Sequence, residues 1–345
     1  MEDYTNISAF LIGTSTTLFA AFAIYFLFIR KYKTRFQTVL GWILAIWSLS
    51  ILKDIILTFP GMYTSEVLNW MMIIDGWGAL TYTVFIFEAV MPGWTTTSRL
   101  SLQALPFAVF TLLYIIYPAQ EVIYCYSVFL WFYAWTIVVI GWKKARRYIK
   151  YVRENYSNID HVDASWLKTV FFFAIISQLT WLFTSLAGTI TTDIVYYIST
   201  LVLWLMVLHY SWDFHPVLVD KTVEPATNNK NIVPFAKGAL EELVEQQKLY
   251  LKKDLTLSDL STAMNSNRTY VSKYLSQVLG MTFYDYINQL RIEQMAIPML
   301  QQHPEYTIDY IATESGFNSI STFRRAFTKI TGKSPGQYRA EMTTP

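Results

Sequence analysis

Charged residues are scarce in this sequence, and the scarcity is confined to one part of it. Only 15% of the 345 residues are Asp, Glu, Lys or Arg, whereas 53% are hydrophobic. An ordinary soluble protein has about 25% charged residues. The charges are sparse up to about His215 and dense after it. The first part of the chain is therefore too apolar for a water-soluble domain, and the two parts require different solvents.

Cysteine is nearly absent as well. Cys125 is the single cysteine, so the chain cannot form an intrachain disulfide, and it lies in an apolar run. The sequence also lacks a nucleophile paired with a base, a cluster of metal ligands and a phosphate-cradling glycine motif. It therefore predicts no enzymatic activity, no cofactor and no metal site.

The apolar part divides into seven stretches of about 20 residues, the length that an α-helix needs to cross the hydrocarbon of a bilayer. They cover approximately residues 8–29, 38–59, 68–90, 100–117, 122–142, 166–188 and 194–213. Lys and Arg follow the first, third and fifth stretches and are missing from the alternate connections. Because basic loops stay in the cytoplasm, this distribution predicts an outside N-terminus and a cytoplasmic C-terminus. The acidic start MEDYTN lacks a basic n-region, so we do not expect a cleavable signal peptide.

Three ionisable residues lie inside the apolar stretches at similar predicted depth, Lys53 and Asp54 before the first basic-free loop and Asp75 after it. Each such side chain costs about 2.5–3.5 kcal/mol at a bilayer centre, so it needs a reason to be there. Two interpretations fit. The three residues form a structural ion pair between the second and third spans, or they line a polar pocket that binds a small ligand among aromatic side chains.

The sequence predicts a chain of four parts. We predict a seven-helix transmembrane domain over 1–213, a tether over 214–236 rich in Pro, Asn and Thr, an amphipathic helix over 237–254, and a helical domain over 255–341. Leu240, Leu243 and Val244 have the spacing of one helical face. This face packs either on the domain that follows or on a second copy of the chain.

The last part contains one repeat. LTLSDLSTAMNSNRTYVSKYLSQVLG and TIDYIATESGFNSISTFRRAFTKITG each predict a short helix, a turn and a second helix. Asn267 and Ser319 are good N-caps for the second helices, and Gly280 and Gly332 suit their ends. The buried positions predicted for the two second helices are Val271, Tyr274, Leu275 and Val278, and Phe323, Ala326, Phe327 and Ile330. Each half is thus a helix-turn-helix unit, whose second helix fits a DNA major groove.

The residues opposite the buried positions are short polar or cationic groups, suited to base edges and phosphates. They are Thr269, Ser272, Lys273 and Ser276 in the first unit, and Ser321, Arg325 and Thr328 in the second, with Arg324 to one side. Lys329, on the other flank, is expected to contact a phosphate. The connecting helix MTFYDYINQLRIEQMAIPML would span about 25–30 Å, close to the ~34 Å between adjacent major grooves on one DNA face.

The duplicated unit, FYDYINQLRIEQM, IATESGFNSISTFRRAF and the closing GKSPGQYR resemble the DNA-binding domain of the AraC/XylS family of bacterial transcription regulators. The resemblance covers about residues 255–339 and implies sequence-specific binding of double-stranded DNA. It places the base contacts on Thr269, Ser272 and Lys273, and on Ile320, Ser321, Arg324 and Arg325. Three residues depart from the family pattern: Ser261 and Met295 replace a frequent alanine, and Pro298 is expected to interrupt the connecting helix.

Together these patterns predict an all-α regulator in the bacterial inner membrane, with a cytoplasmic DNA-binding domain. Its expected partners are DNA, membrane lipid, a small-molecule ligand and a second copy of the chain. An alternative is a membrane receptor or transporter whose helical repeat binds a protein. A sensor histidine kinase is disfavoured because the soluble part is too short for a kinase core together with the repeat.

Overall fold

The computed structural model describes residues 2–187, 189–219 and 238–343. Within these ranges the regular structure is helical, as predicted, and the only β-type pairing is an isolated antiparallel bridge between Tyr156 and Thr256. The chain folds as two compact units, one of residues 1–148 with 164–218, the other of residues 149–163 with 219–345. Most of the predicted tether, from residue 220 to 236, lies outside the described residues.

The first unit contains the apolar helices. They are α1 (Glu2–Ile24, continued by a π-helical turn at Tyr25–Ile29), α2 (Arg35–Lys53, continued by a 3₁₀ turn at Asp54–Thr58), α3 (Ser65–Gly76), α4 (Gly78–Val90), α5 (Thr97–Ile116), α6 (Gln120–Asn155), α7 (Leu167–Ala187) and α8 (Ile190–Ser211). When α3 and α4 are counted as one, the described residues contain seven helical stretches that are long and apolar enough to cross a membrane. Threonine side chains cap α2, α3 and α5 at Thr34, Thr64 and Thr96.

Large apolar side chains cover much of the outside of this unit. Phe28, Leu102 and Ile116 are 76%, 72% and 80% exposed. A continuous apolar surface of this kind is unfavourable in water and suits a hydrocarbon solvent. The exposed side chains thus agree with the length and composition of the helices.

The second unit contains shorter, amphipathic helices. They are α9 (Ala239–Gln246), α10 (Leu257–Ala263), α11 (Arg268–Lys273, continued by a π-helical turn at Tyr274–Val278), α12 (Phe283–Leu290, continued by a π-helical turn at Arg291–Ala296), α13 (Ile297–Gln302), α14 (Ile308–Glu314), α15 (Ile320–Thr331) and α16 (Pro335–Thr343). In α9, Leu240 and Val244 are fully buried in one core with Val271, Tyr274 and Leu275. The amphipathic helix therefore packs on the domain that follows it.

Pro298 does not interrupt the connecting helix, contrary to the sequence prediction. The chain stays helical from Phe283 to Gln302, about 30 Å at 1.5 Å per residue. Proline lacks an N–H and crowds the carbonyl one turn earlier. Here the wider π-helical turn comes directly before it, and the N–H of Ile297 bonds to the carbonyl of Ile292.

Candidate functional site

Two helix-turn-helix units stand at the centre of the second unit, α10 with α11 and α14 with α15. The side chain of Asn267 accepts a hydrogen bond from the N–H of Thr269 at 2.7 Å, and that of Ser319 accepts one from the N–H of Thr322 at 3.2 Å. Gly332 ends α15 with a φ of 75°. The N-caps and the glycine end predicted for these helices are confirmed.

The buried faces of the two second helices agree with the prediction at most positions. Phe323, Ala326 and Phe327 lie in the core of the second helix-turn-helix unit. In the first, Val278 is 43% exposed, so its predicted burial is wrong. The π-helical turn at Tyr274–Val278 holds more residues per turn than an α-helix, which rotates Val278 outward and brings Leu279 against the core.

The outward face of α15 carries the residues predicted to contact DNA. Ser321, Arg324 and Arg325 are exposed, and Ile320 is half-buried at the start of the helix. Arg324 makes no hydrogen bond or ion pair within the described ranges. Arg325 donates a hydrogen bond to Oγ1 of Thr322 at 2.9 Å and remains 69% exposed. Both guanidinium groups are thus accessible to an anionic partner.

The corresponding residues of α11, Thr269, Ser272 and Lys273, are half-exposed on one helix. Lys329 is already paired, because its Nζ lies 2.7 Å from Oδ1 of Asp285 on α12. Its role as a phosphate contact remains a prediction, and it would require this ion pair to open.

A buried arginine joins the parts of this unit. Arg291 is 1% exposed, and its guanidinium donates to the carbonyls of Tyr250 at 2.7 Å and Lys252 at 2.8 Å and to Oδ1 of Asn288 at 3.2 Å. It also lies 5.4 Å from the ring centroid of Phe317 in the second helix-turn-helix unit. Burial lowers the pKa of Arg291 to about 10, which leaves the group charged at neutral pH.

Sequence reasoning missed Arg291, although a signal was present. The residue follows Ile287 by four positions and therefore continues the buried face of the connecting helix. A charged residue at such a position implies buried acceptors for its hydrogen bonds. Those acceptors are backbone carbonyls far away in the sequence, so the pattern could not name them.

In the first unit the structure brings Lys53, Asp54 and Asp75 together. The Lys53 ammonium lies 2.8 Å from Oδ1 of Asp75 and also bonds to Oδ1 of Asp54. The hydroxyl of Tyr197 donates to Oδ2 of Asp54 at 3.2 Å. The ion pair between the second and third apolar stretches is therefore present.

A cavity of about 570 Å³ lies beside these residues. Asp54, Asp75 and Asp193 line it together with aromatic side chains, among them Tyr63, Tyr124, Trp131, Phe132, Trp181, Tyr196 and Tyr197. Asp193 accepts a hydrogen bond from the hydroxyl of Tyr63 at 2.7 Å. Sequence reasoning missed Asp193 because it lies in the first turn of α8, just before the predicted seventh stretch and far from the other two carboxylates in the chain.

Comparison with known proteins agrees with the geometry of the second unit. A family model described as a helix-turn-helix domain matches residues 260–341, which include α11, α15 and the helix between them. An uncharacterized HTH-type transcriptional regulator of Staphylococcus aureus (strain COL) is 29% identical over 117 residues, 34% of this chain and 15% of that protein. The Msm operon regulatory protein of Streptococcus mutans serotype c is 26% identical over 122 residues, 32% of this chain and 43% of that protein.

The chain thus spans less than half the length of these curated relatives, and no solved structure matches it at a significant level. The second unit carries an AraC-type helix-turn-helix domain of the kind found in DNA-binding transcription regulators.

Proposed function

We propose that the chain is a membrane-embedded transcription regulator, in which one polypeptide both receives a signal and binds a specific DNA sequence. The observation that carries this proposal is the exposed face of α15, where Arg324 and Arg325 stand on a helix capped by Ser319 and matched to a helix-turn-helix family. The apolar helices support the membrane location, and the distribution of Lys and Arg supports a cytoplasmic DNA-binding unit.

The two arginines are expected to differ in their contribution. Arg324 makes no bond within the described part of the chain, so its guanidinium is available to pair with O6 and N7 of a guanine. Such a pair discriminates between bases by about 1–3 kcal/mol. The guanidinium of Arg325 already donates to the Thr322 hydroxyl and lies near the Asp160 carboxylate, so we assign it a contact with a phosphate and not with a base. A phosphate contact weakens binding to all sequences alike and contributes about one unit to the salt slope.

The experiment uses the full-length chain in lipid nanodiscs. Binding sites are first selected from a random DNA library, and affinities are then measured for the best site and its single-base variants at several salt concentrations. We expect Arg324→Ala to lower discrimination at one base pair about 5- to 150-fold. Arg325→Ala should reduce affinity for all variants and flatten the salt slope.

Lys150→Ala is the charge-matched control, because Lys150 is 74% exposed on α6 and pairs only with Glu154 on its own helix among the contacts described. It should bind like the wild type. If both arginine variants keep wild-type affinity and base preference, α15 does not read DNA through this face. A receptor or transporter with a protein-binding repeat would then be favoured.

We further propose that the cavity near Asp75 receives the signal as a small ligand. Its volume of about 570 Å³ lies within the range of about 300–1,000 Å³ that is usual for ligand pockets. Its wall combines aromatic rings with three carboxyl groups, a composition that a purely structural ion pair would not need.

Asp75→Asn tests this signal site. In cells that carry a reporter gene behind the selected DNA site, we expect the variant to bind DNA normally while expression no longer changes between growth conditions. Glu66→Gln, at the exposed start of α3, is the control and should respond like the wild type. If Asp75→Asn instead lowers protein abundance, the three residues are structural. A normal response at normal abundance would remove Asp75 from both roles.

A further inference from the structure

The loop between the fifth and sixth apolar stretches belongs to the DNA-binding unit. Residues 149–163 fold with residues 219–345 as one compact unit, although α6 begins in the other unit. We call residues 155–160 of this segment the docking loop. Its contacts with both helix-turn-helix units are numerous and specific.

The first half of the docking loop binds the first helix-turn-helix unit through main-chain and side-chain bonds. The N–H of Ser157 donates to the carbonyl of Leu255 at 3.1 Å, which forms part of the bridge between Tyr156 and Thr256. Oδ1 of Asn155 accepts from the guanidinium of Arg268 at 2.7 Å. Backbone pairing of this kind fixes the loop more firmly than a surface ion pair would.

The middle of the docking loop is bound at the centre of the unit. Ser157 is 1% exposed, and its carbonyl and Oγ accept from Arg291 at 3.4 and 3.3 Å. Asn158 donates to Oδ1 of Asp254 at 2.9 Å, and Asn318 of the second helix-turn-helix unit donates to the same atom at 2.8 Å. The hydrogen bond from Asn158 lowers the pKa of Asp254, with smaller contributions from Asn318 and from the charge of Arg291.

The end of the docking loop reaches α15, the second helix of the second helix-turn-helix unit. Oδ1 of Asp160 accepts a hydrogen bond from Oγ1 of Thr322 and lies 4.0 Å from the guanidinium of Arg325. Oδ2 of Asp160 is buried and has no hydrogen-bond partner in the described part of the chain. A carboxylate with one unsatisfied oxygen is poorly compensated for its burial, so this end of the loop is the part that detaches at least cost.

We propose that the docking loop restrains DNA binding, with the Asp160 carboxylate competing with DNA for the edge of α15 that carries Arg325. The carboxylate holds negative charge where a DNA phosphate would approach, so the loop and the DNA exclude each other at this edge. The loop is covalently joined to the fifth and sixth apolar stretches. A rearrangement of those helices on ligand binding would therefore be transmitted through the loop to α15.

This inference rests on the proposed DNA binding, and its test separates the two. Affinities of the full-length chain in nanodiscs are compared for the wild type, Asp160→Asn and the control Glu154→Gln. Glu154 lies on the same segment, and its described ion pair is with Lys150 on its own helix, at 3.6 Å. Both variants therefore remove one negative charge from the segment, and only one of them alters the contact with α15.

We expect Asp160→Asn to raise DNA affinity about two- to five-fold, because the pair involves a largely exposed arginine. The salt slope should steepen by up to about one unit as Arg325 becomes available to phosphate. Glu154→Gln should leave both quantities unchanged. In an Arg325→Ala background, Asp160→Asn should have no further effect.

Hydrogen exchange of the same preparations provides a readout that does not depend on affinity. Saturating DNA should increase exchange of the amide of Asp160, which donates to Oδ1 of Asn158 at 3.2 Å, because the DNA displaces this end of the loop. The amide of Ser157, bonded to the carbonyl of Leu255, should stay protected. Absence of any DNA binding by the wild type would refute the proposed function itself. Three outcomes would refute only the competition between the loop and DNA. They are binding with unchanged or reduced affinity in Asp160→Asn, an equal effect of Glu154→Gln, and an effect of Asp160→Asn that persists in the Arg325→Ala background.

Discussion

Replacement of Arg291 by leucine is expected to destabilise the second unit strongly. The substitution removes a guanidinium that is 1% exposed. It takes from the carbonyl of Tyr250 its donor at 2.7 Å and leaves the carbonyl of Lys252 with only the longer bond from the N–H of Leu255, at 3.3 Å. Leucine fills part of the volume, so the main change is the loss of hydrogen bonds and not the creation of a large cavity. The exposed surface of the unit is unaffected.

The magnitude follows from the geometry of these bonds. The two short ones, at 2.7 and 2.8 Å, are hydrogen bonds to a charged group and contribute about 1.5–3 kcal/mol each, whereas the four at 3.2–3.4 Å contribute little. The apolar side chain recovers about 1–2 kcal/mol through burial and through relief of the desolvated charge. A net loss of about 2–4 kcal/mol remains, which corresponds to a decrease of about 30- to 1,000-fold in the equilibrium protection of amides.

Hydrogen exchange measured by mass spectrometry is the appropriate assay. All 12 tryptophans lie at or before residue 212, so tryptophan fluorescence reports on the first unit and not on the second. Exchange of the amides over 250–257 should accelerate in Arg291→Leu. Gln294→Leu, at an exposed position three residues further along the same helix, should change protection by less than about two-fold. Wild-type protection in Arg291→Leu would refute the assignment of Arg291 as the group that holds the unit together.

Two further outcomes are expected. Gly316→Ala should destabilise the second unit by about 1–3 kcal/mol, because Gly316 has a φ of +86° and a Cβ there would lie 2.9 Å from the carbonyl oxygen of Leu251. Gly332 has a φ of +75° but open space around it, so Gly332→Ala should cost less. Equal rates of hydrogen exchange in the two variants would contradict the steric argument. Reporter fusions should place the connection around Met62 outside the cytoplasm and the basic last part of α6, around Arg147, inside it. An inactive periplasmic reporter at Met62 would refute the seven-span topology.

The local features of this protein could be predicted from its sequence. Asn267 and Ser319 cap their helices through atoms two or three residues away, so their types and positions were sufficient. Val278 was placed wrongly because a π-helical turn, which depends on the packing around it, shifted the helical phase. The periodicity of a sequence assumes a constant number of residues per turn, and it fails where tertiary contacts change that number.

The contacts that join distant segments could not be predicted. Arg291 meets Ser157 across 134 positions, and Thr322 meets Asp160 across 162. Neither pair has a spacing rule, and Ser157 lies in what looks like an ordinary connection between two apolar helices. The same holds for Asp193, which joins the cavity from a helix remote in sequence. Only the folded chain identifies these residues as parts of the two sites.

The second unit is built from two separate stretches of the chain, and this has a consequence for how the protein can evolve. Because residues 149–163 and 219–345 fold together, a single recombination event between the apolar region and the helix-turn-helix domain would separate the docking loop from the surface that it fits. A domain exchanged in this way would fold beside a foreign loop. The two stretches are therefore expected to be inherited together and to change in concert, and a chimeric regulator would need both stretches from the same parent.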